Sequence, residues 1–171
     1  MIRKLSLSLA LAAAMSAPAF AEEINDAQIA HIAYTAGTID IAAGKQALAK
    51  SKDANIRMFA EEMVRDHTAV NDQALALVKK LGVTPQDNPT SMSLSSAAAM
   101  KLKDYEKLSG ADFDRAYIQN EIAYHKAVNS AVAGTLIPNA KNGELKSLLQ
   151  TGLKLFQEHE HHAEHMAAMV H

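Results

Sequence analysis

Apolar residues recur at intervals of three and four positions over four long segments of this chain, and this periodicity restricts the fold more than any other feature. β-branched residues never form the alternating run that marks a strand, and good helix formers dominate the sequence after residue 21. The pattern therefore predicts an all-α protein. Because each apolar stripe covers only one face of its helix, the helices must bury those faces against one another.

Capping and turn residues divide the chain into four long helices and one short helix. Short turns at 51–53 and 139–143 join consecutive long helices, whereas a longer loop over 82–95 precedes the short helix. The predicted ranges are 25–50, 54–81, 112–136 (ending before Pro138) and 144 to near the C-terminus for the long helices, and 96–108 for the short one. Two antiparallel hairpins joined by a long crossover that contains a short extra helix make a ferritin-like four-helix bundle.

Residues 1–21 have the three parts of a secretory signal peptide. Arg3 and Lys4 are basic, an apolar core follows, and Ala19-Phe20-Ala21 fits a cleavage site. We expect residues 22–171 to form a single domain in the periplasm after cleavage. No later stretch is apolar for the ~20 residues that a membrane-spanning helix requires. The chain has no cysteine, so packing alone must stabilise it.

Charge and motifs exclude several classes of function. Loss of Arg3 and Lys4 changes the formal charge from −2 to −4, and the remaining basic residues are scattered, which excludes a nucleic-acid partner. The sequence has no cysteine nucleophile, no G-x-S-x-G elbow, no P-loop and no G-x-G-x-x-G. We therefore assign no catalytic and no organic-cofactor residues, and the sequence favours a protein that is not an enzyme.

Histidines and carboxylates fall on faces that the periodicity directs inward. His67 lies in the apolar stripe of the second helix, and Glu121 and His125, four residues apart, share a face of the third long helix. If both short turns lie at one end of the bundle, then His67, His125 and His159 lie roughly 20, 18 and 24 Å from that end. Such groups hold metal ions in bundle cores. The sequence predicts a core site for a transition metal (Zn, Cu or Fe), with the candidate ligands His67, His125, Glu121, His159, His162, His31, Glu62 and Asp66.

Two alternatives to a mononuclear metal site remain at this stage. In the first, His67 and His125 are buried polar residues that fix helix register, with hydrogen bonds to a neighbour among Asp66, Glu121, Tyr34 and Tyr124. The protein would then be a non-catalytic structural or interaction module. In the second, the chain is a metal-dependent redox enzyme with a dinuclear site.

The C-terminal end carries five of the chain's eight histidines, between residues 159 and 171. On a helix they fall on two faces, of which the more buried one holds His159 and His162. The other face holds Glu158, His161 and His165, and histidines four residues apart can chelate a divalent ion there. This set is the predicted surface chelate.

Two segments carry a resemblance to a known family. They are the stretch FAEEMVRDH at 59–67 and the stretch FDRAY at 113–117, which leads to His125. From residue 25 to residue 169 the chain resembles the exported bacterial family catalogued as domain of unknown function 4142. The resemblance implies a ferritin-like fold without an established activity. Members are often labelled predicted outer-membrane proteins, which for a helical chain implies at most a peripheral position at that membrane.

The resemblance to ferritin-like proteins does not extend to their di-iron motif. That motif uses Glu-x-x-His on two helices, with a glutamate from each of the others. Here the third residue after Glu62 is Arg65, and the third residue after Glu121 is Tyr124, so neither glutamate has the histidine of the motif. Only Glu158 keeps a histidine three residues later. This departure argues against a ferroxidase site, but it leaves a mononuclear site open.

Overall fold

The computed structural model describes residues 24–169, and helices are the regular secondary structure of that range. Their bounds are α1 Asp26–Lys50, α2 Ala54–Leu81, α3 Pro89–Glu106, α4 Gly110–Ala131, a π-helical turn Val132–Leu136, α5 Ile137–Asn139 and α6 Gly143–Ala167. The prediction of an all-α bundle of four long helices with a crossover helix is confirmed. The predicted signal peptide and His171 lie outside the described residues.

The first hairpin begins and ends at the residues that its capping signals predict. The Asn25 side chain accepts a hydrogen bond from the backbone N–H of Gln28 at 2.9 Å, and the Gln28 side chain accepts one from the Asn25 N–H. Asp53 caps α2 by accepting from the N–H of Ile56 at 3.1 Å. Gly82 ends α2 in the left-handed conformation, with φ of 63°.

The crossover helix is longer than the sequence predicted. We expected a short helix over 96–108, but α3 begins at Pro89 and has 18 residues, roughly 27 Å at the usual rise. Asn88 and Ser91 form a capping box, and Pro89 stands at the first helical position, where it lacks no needed hydrogen bond. We assigned these residues to the loop because proline and asparagine also mark turns.

The two short turns lie at opposite ends of the bundle, which corrects the assumption made from the sequence. The end of α3 lies beside the end of α1, since Lys50 Nζ donates to the Glu106 carbonyl at 3.1 Å. The turn before α6 lies beside the start of α1, since the Lys141 N–H donates to Asp26 Oδ1 at 2.8 Å. Helices α1, α3 and α6 therefore run in one direction, and α2 and α4 run in the other.

The helical segment that begins with α4 continues past residue 136, where the sequence predicted its end. The backbone remains helical through Pro138 to Asn139. A proline cannot donate a hydrogen bond, and its ring displaces the carbonyl four residues earlier, here that of Gly134. The π-helical turn Val132–Leu136 accommodates this distortion just before Pro138, so the chain shifts its helix geometry instead of stopping.

The buried apolar residues form two clusters, one toward each end of the bundle. The cluster near the end of α1 includes Phe59, Phe113 and Tyr117, and the cluster near its start includes Ile29 and Leu149. Along each long helix, a buried polar residue separates the two. None of the helices between residues 24 and 169 combines the length and apolar character needed to cross a membrane.

Gly44 in α1 lets α2 approach closely. A Cβ atom added to Gly44 would lie 2.9 Å from Val64 Cγ2 and 3.1 Å from the backbone oxygen of Ala60. Backbone atoms cannot move aside as the end of a flexible side chain can. At Gly143, the first residue of α6, an added Cβ would meet no atom within 4 Å.

We expect Gly44→Ala to lower the free energy of unfolding by about 1–3 kcal/mol, because the added methyl group overpacks the contact between α1 and α2. The matched change Gly143→Ala should leave stability unchanged or raise it by about 0.5–1 kcal/mol. Urea unfolding followed by far-ultraviolet circular dichroism measures both. Equal effects of the two changes would contradict the close approach of the helices.

Candidate metal centre

A buried polar layer lies between the two apolar clusters, and each long helix contributes one side chain to it. These side chains are Asp40 on α1, His67 on α2, His125 on α4 and His159 on α6, and each residue is at most 3 % exposed. The centroids of the three imidazole rings lie 5.2–5.6 Å apart. One ring nitrogen from each histidine lies within 4.8 Å of the others. This spacing brings three imidazole nitrogens close to one point.

Asp40 places a carboxylate against two of these rings. Its Oδ2 lies 2.8 Å from Nε2 of His67 and 3.3 Å from Nε2 of His125. Both contacts are at ion-pair distance, although neither has the alignment of a regular hydrogen bond. The carboxylate therefore faces two imidazole rings at once.

Two of the histidines have one ring nitrogen held by the protein and the other left unpaired. His125 Nδ1 lies 3.0 Å from the Glu121 carbonyl, to which it donates, and its Nε2 is buried without a partner. His159 Nε2 lies 3.1 Å from Asp66 Oδ2, and its Nδ1 is buried without a partner. A hydrogen bond at one nitrogen fixes the tautomer and leaves a lone pair on the other, as in metal-binding histidines.

His67 and Asp40 add further unsatisfied atoms to the same layer. Both nitrogens of His67 and both oxygens of Asp40 lack a regular hydrogen bond, and the closest approach between the two side chains is the 2.8 Å ion-pair contact. Native proteins pair nearly all of their buried polar groups, so a concentration of unpaired lone pairs at one place needs an explanation. A bound cation would satisfy them together.

Of the hydrogen-bond partners named for a purely structural role, Glu121 serves His125 through its carbonyl, whereas Tyr124 and Asp66 are engaged elsewhere. The Tyr124 hydroxyl donates to the Ala36 carbonyl at 2.8 Å, so it does not satisfy His125. Asp66 accepts from Arg65 at 2.7 Å and contacts His159, not His67. On the side of His67, the layer packs against an apolar group, because the Phe156 ring stacks on His67 with centroids 4.8 Å apart.

Burial and the interactions between neighbouring groups shift the pKa values of the buried side chains in this layer. Burial alone raises the pKa of Asp40, but the facing His67, His125 and His159 lower it to about 2. Burial and the Asp40 charge raise the pKa of Glu121 well above its usual value, which favours its protonated form. Burial also lowers the pKa of His125, and it lowers that of His159 to about 4. The layer then holds one carboxylate anion, with His125 and His159 neutral.

Asp40 is the residue of this layer that sequence reasoning missed. The apolar Ile39 is only partly buried, whereas the neighbouring Asp40 is 1 % exposed. A signal was present, because Ala36, Asp40, Ala43 and Ala47 follow one another at steps of four, three and four. A single aspartate in an alanine-rich helix is more often a solvated residue, so it drew no notice.

His125 and His159 meet His67 although the depth argument assumed a wrong direction for the second hairpin. His125 lies near the middle of the continuous helical segment 110–139, so its depth is nearly the same from either end. His159 lies roughly 24 Å from the start of α6, also well inside the bundle. The predicted depth of His125 therefore did not depend on the direction of its helix, whereas that of His159, roughly 12 Å from the end of α6, did.

Two other predicted ligands form a partly exposed group beside the buried layer. His162 Nδ1 lies 2.7 Å from Glu62 Oε2, and both side chains are about one-third exposed, at 32 % and 29 %. Oxygens of Glu62 and Asp66 also lie within 4.8 Å of a nitrogen of His159. These carboxylates surround the outer side of His159, and Asp66 orients its ring.

His31, predicted to join the core site, lies apart from it. Its Nε2 is 3.1 Å from Asp87 Oδ1, in the loop before α3. His31 precedes Asp40 by nine residues, which is about 14 Å along α1. Asp40, and not His31, is the residue of α1 that lies in the buried polar layer.

The surface chelate predicted from Glu158, His161 and His165 remains a prediction. All three residues are exposed on α6. Among residues 24–169, no compact group of three candidate ligands includes any of them.

Comparison with known proteins places the chain in a family. The model of a family described as a domain of unknown function, DUF4142, matches residues 9–166. This chain belongs to the DUF4142 family. The crystal structure of a protein from Streptomyces coelicolor, described as a secreted DUF305 protein, is similar with a TM-score of 0.71 and 11 % identity over 83 % of this chain and 91 % of that chain. At this identity the likeness shows the fold alone. No curated protein matches the chain.

We expect Glu121→Gln to stabilise the metal-free DUF4142 chain more as pH rises. Because the folded pKa of Glu121 is raised, the folded chain keeps a proton that the unfolded chain loses above about pH 4.5, so wild-type stability decreases with pH. The neutral glutamine carboxamide removes this cost. The difference in unfolding free energy should grow by up to about 1.4 kcal/mol per pH unit.

Urea unfolding with a chelator present, at pH 5 and pH 8, measures this difference. Glu158→Gln is the matched control, because Glu158 is exposed on α6 and its replacement should leave the pH dependence of wild type unchanged. Parallel pH profiles of Glu121→Gln and wild type would show that Glu121 is ionised in the folded chain.

Proposed function

We propose that this protein binds one divalent transition-metal ion between His67, His125, His159 and Asp40 and serves in metal or stress homeostasis without being an enzyme. The proposal depends on how the two nitrogens of each imidazole ring are bonded. His125 and His159 each use one nitrogen on the protein and leave the other buried and unpaired. A histidine that only fixed packing would have no reason to leave that lone pair unsatisfied.

The donor set suits particular ions. Three imidazole nitrogens and one carboxylate oxygen fit zinc, ferrous iron or cupric copper, and hard ions such as magnesium prefer oxygen ligands. Four ligands from four different helices would tie the bundle together at its centre. Asp66 and the Glu121 carbonyl would act as the outer partners that hold the His159 and His125 rings.

The charge distribution supports a single ion. Metal binding requires neutral imidazole, and burial lowers the pKa of His125 and of His159, so protons compete weakly for these nitrogens. Dinuclear sites use several carboxylate anions. Here the buried layer supplies two carboxyl groups, Asp40 and Glu121, beside three imidazoles. The arrangement therefore favours a mononuclear centre over the dinuclear redox site.

We further infer that the protein is exported to the periplasm. Residues 1–21 carry the sequence pattern of a signal peptide. The similar structure from Streptomyces coelicolor is described as that of a secreted protein. An exported protein encounters metal ions outside the cytosol, which agrees with a role in metal handling.

We expect untagged protein purified from the periplasm to begin at Glu22 and to contain one equivalent of a transition metal per chain. His159→Ala should lower the affinity by more than the roughly 10–100-fold that loss of an outer partner costs. His161→Ala, two residues along and exposed, should bind like wild type. Intact-mass spectrometry, elemental analysis and competition with a chromophoric chelator measure these properties.

Added metal should also raise the melting temperature of wild type and of His161→Ala, because the ion binds the folded chain only. His159→Ala should show little of this increase. If wild type holds no stoichiometric metal and gains no stability, the buried histidines only fix packing. If His161→Ala loses the metal instead, the binding belongs to the exposed face of α6.

A further inference from the structure

The half of the bundle near the start of α1 contains a cavity of about 480 Å³. Native interiors are close-packed, with few voids larger than one water, so a void of this size is a structural feature of its own. Small side chains make much of its wall, among them Ala30, Ala33, Ala74 and Gly152. Its volume lies in the range of small-molecule binding sites.

The cavity is elongated along the bundle axis. Its wall uses residues 24–36 of the α1 region, 124–136 of α4 and the π-helical turn, and 145–156 of α6. From its first to its last residue, each range covers eleven or twelve steps along the chain, which in a helix is roughly 16–18 Å. One leaflet of a bilayer, the length of one acyl chain, is about 15 Å, half of the ~30 Å hydrocarbon core. The cavity therefore has the length of a single acyl chain.

The wall offers nothing to a polar ligand along this length. Among residues 24–169, none of the side chains that line the cavity is charged. Of its polar residues, Asn71 donates to the Tyr34 carbonyl at 3.3 Å, and Tyr124 donates to the Ala36 carbonyl at 2.8 Å. The protein thus already uses these donors, and a ligand that paid to leave water would find only apolar contacts.

The exposed members of the wall mark the mouth. They are Thr90 at the start of α3 and Ala127, Ala131 and Thr135 along α4 and the π-helical turn. The two threonine hydroxyls are the polar groups there. This opening runs along α4, with the two threonines toward the start of α1, and Phe156 closes the end nearest the candidate metal centre, where its ring stacks on His67.

We propose that this cavity binds one fatty acid, with its acyl chain along the bundle axis and its carboxylate at the mouth near Thr90 and Thr135. Length, apolar wall and polar mouth together fit a molecule with one long hydrocarbon chain and one charged end. The proposal does not rest on the metal centre, which lies beyond Phe156.

Titration of the delipidated chain 22–171 with saturated fatty acids of increasing length, below their micellar concentrations, tests the proposal. Affinity should rise about fourfold per added methylene, the equivalent of ~0.8 kcal/mol, and level off once the chain exceeds the cavity. Ala33→Phe should fill the cavity and weaken binding by at least tenfold. Ala99→Phe is the matched control, because Ala99 is exposed on α3 and outside the wall.

Thermal unfolding shows whether Ala33→Phe still folds, and Ala74→Leu gives a milder change in the same wall. Affinity that ignores chain length, or that Ala33→Phe and Ala74→Leu both leave unchanged, would overturn the proposal. So would a wild-type dimer that covers the cavity and binds no fatty acid, as measured by sedimentation equilibrium. His159→Ala should keep its fatty-acid binding, so the metal and fatty-acid proposals can fail separately.

Discussion

A buried aspartate is the constraint on which the centre of this bundle depends. The Asp40 carboxylate lies in a protein interior, where an isolated charge would be very costly. Imidazoles from α2, α4 and α6 surround it, and they hold its pKa low against the effect of burial. Because the four groups come from four helices, their contact fixes how all four long helices face one another. A polar layer of this kind couples folding and site formation in one step.

The layer also separates two halves with different packing. Toward the end of α1, aromatic rings such as Phe59, Tyr105 and Tyr117 fill the core, with ring centroids 6.0–6.5 Å apart. Toward its start, alanine and glycine line the helices and leave the elongated cavity. One fold thus provides a compact aromatic half, a polar centre and a hollow apolar half. The π-helical turn lies in the hollow half, where a departure from regular helix geometry widens the wall.

Periodicity and capping residues predicted much of this architecture. Asn25, Asp53 and Gly82 mark helix ends because a local hydrogen bond or a left-handed conformation acts within a few residues. Pro89 and Pro138 were misread as breaks, since a proline is compatible with the first turn of a helix and with a π-helical turn. The inward faces of His67 and His125 followed from spacing alone, whereas Asp40 gave a signal too weak to single it out.

The sequence by itself determined that the chain is a helical bundle, which helix faces are buried, and that histidines and carboxylates lie on them, because these properties depend on spacing within one helix. Only the tertiary structure decided which of those residues meet. It brought His67, His125 and His159 together, with Asp40 against the first two, and it placed His31 beside Asp87. Such contacts depend on the direction and rotation of separate helices, which side-chain packing across the whole bundle sets. The cavity has the same origin, because a void belongs to the space between helices and to no single one.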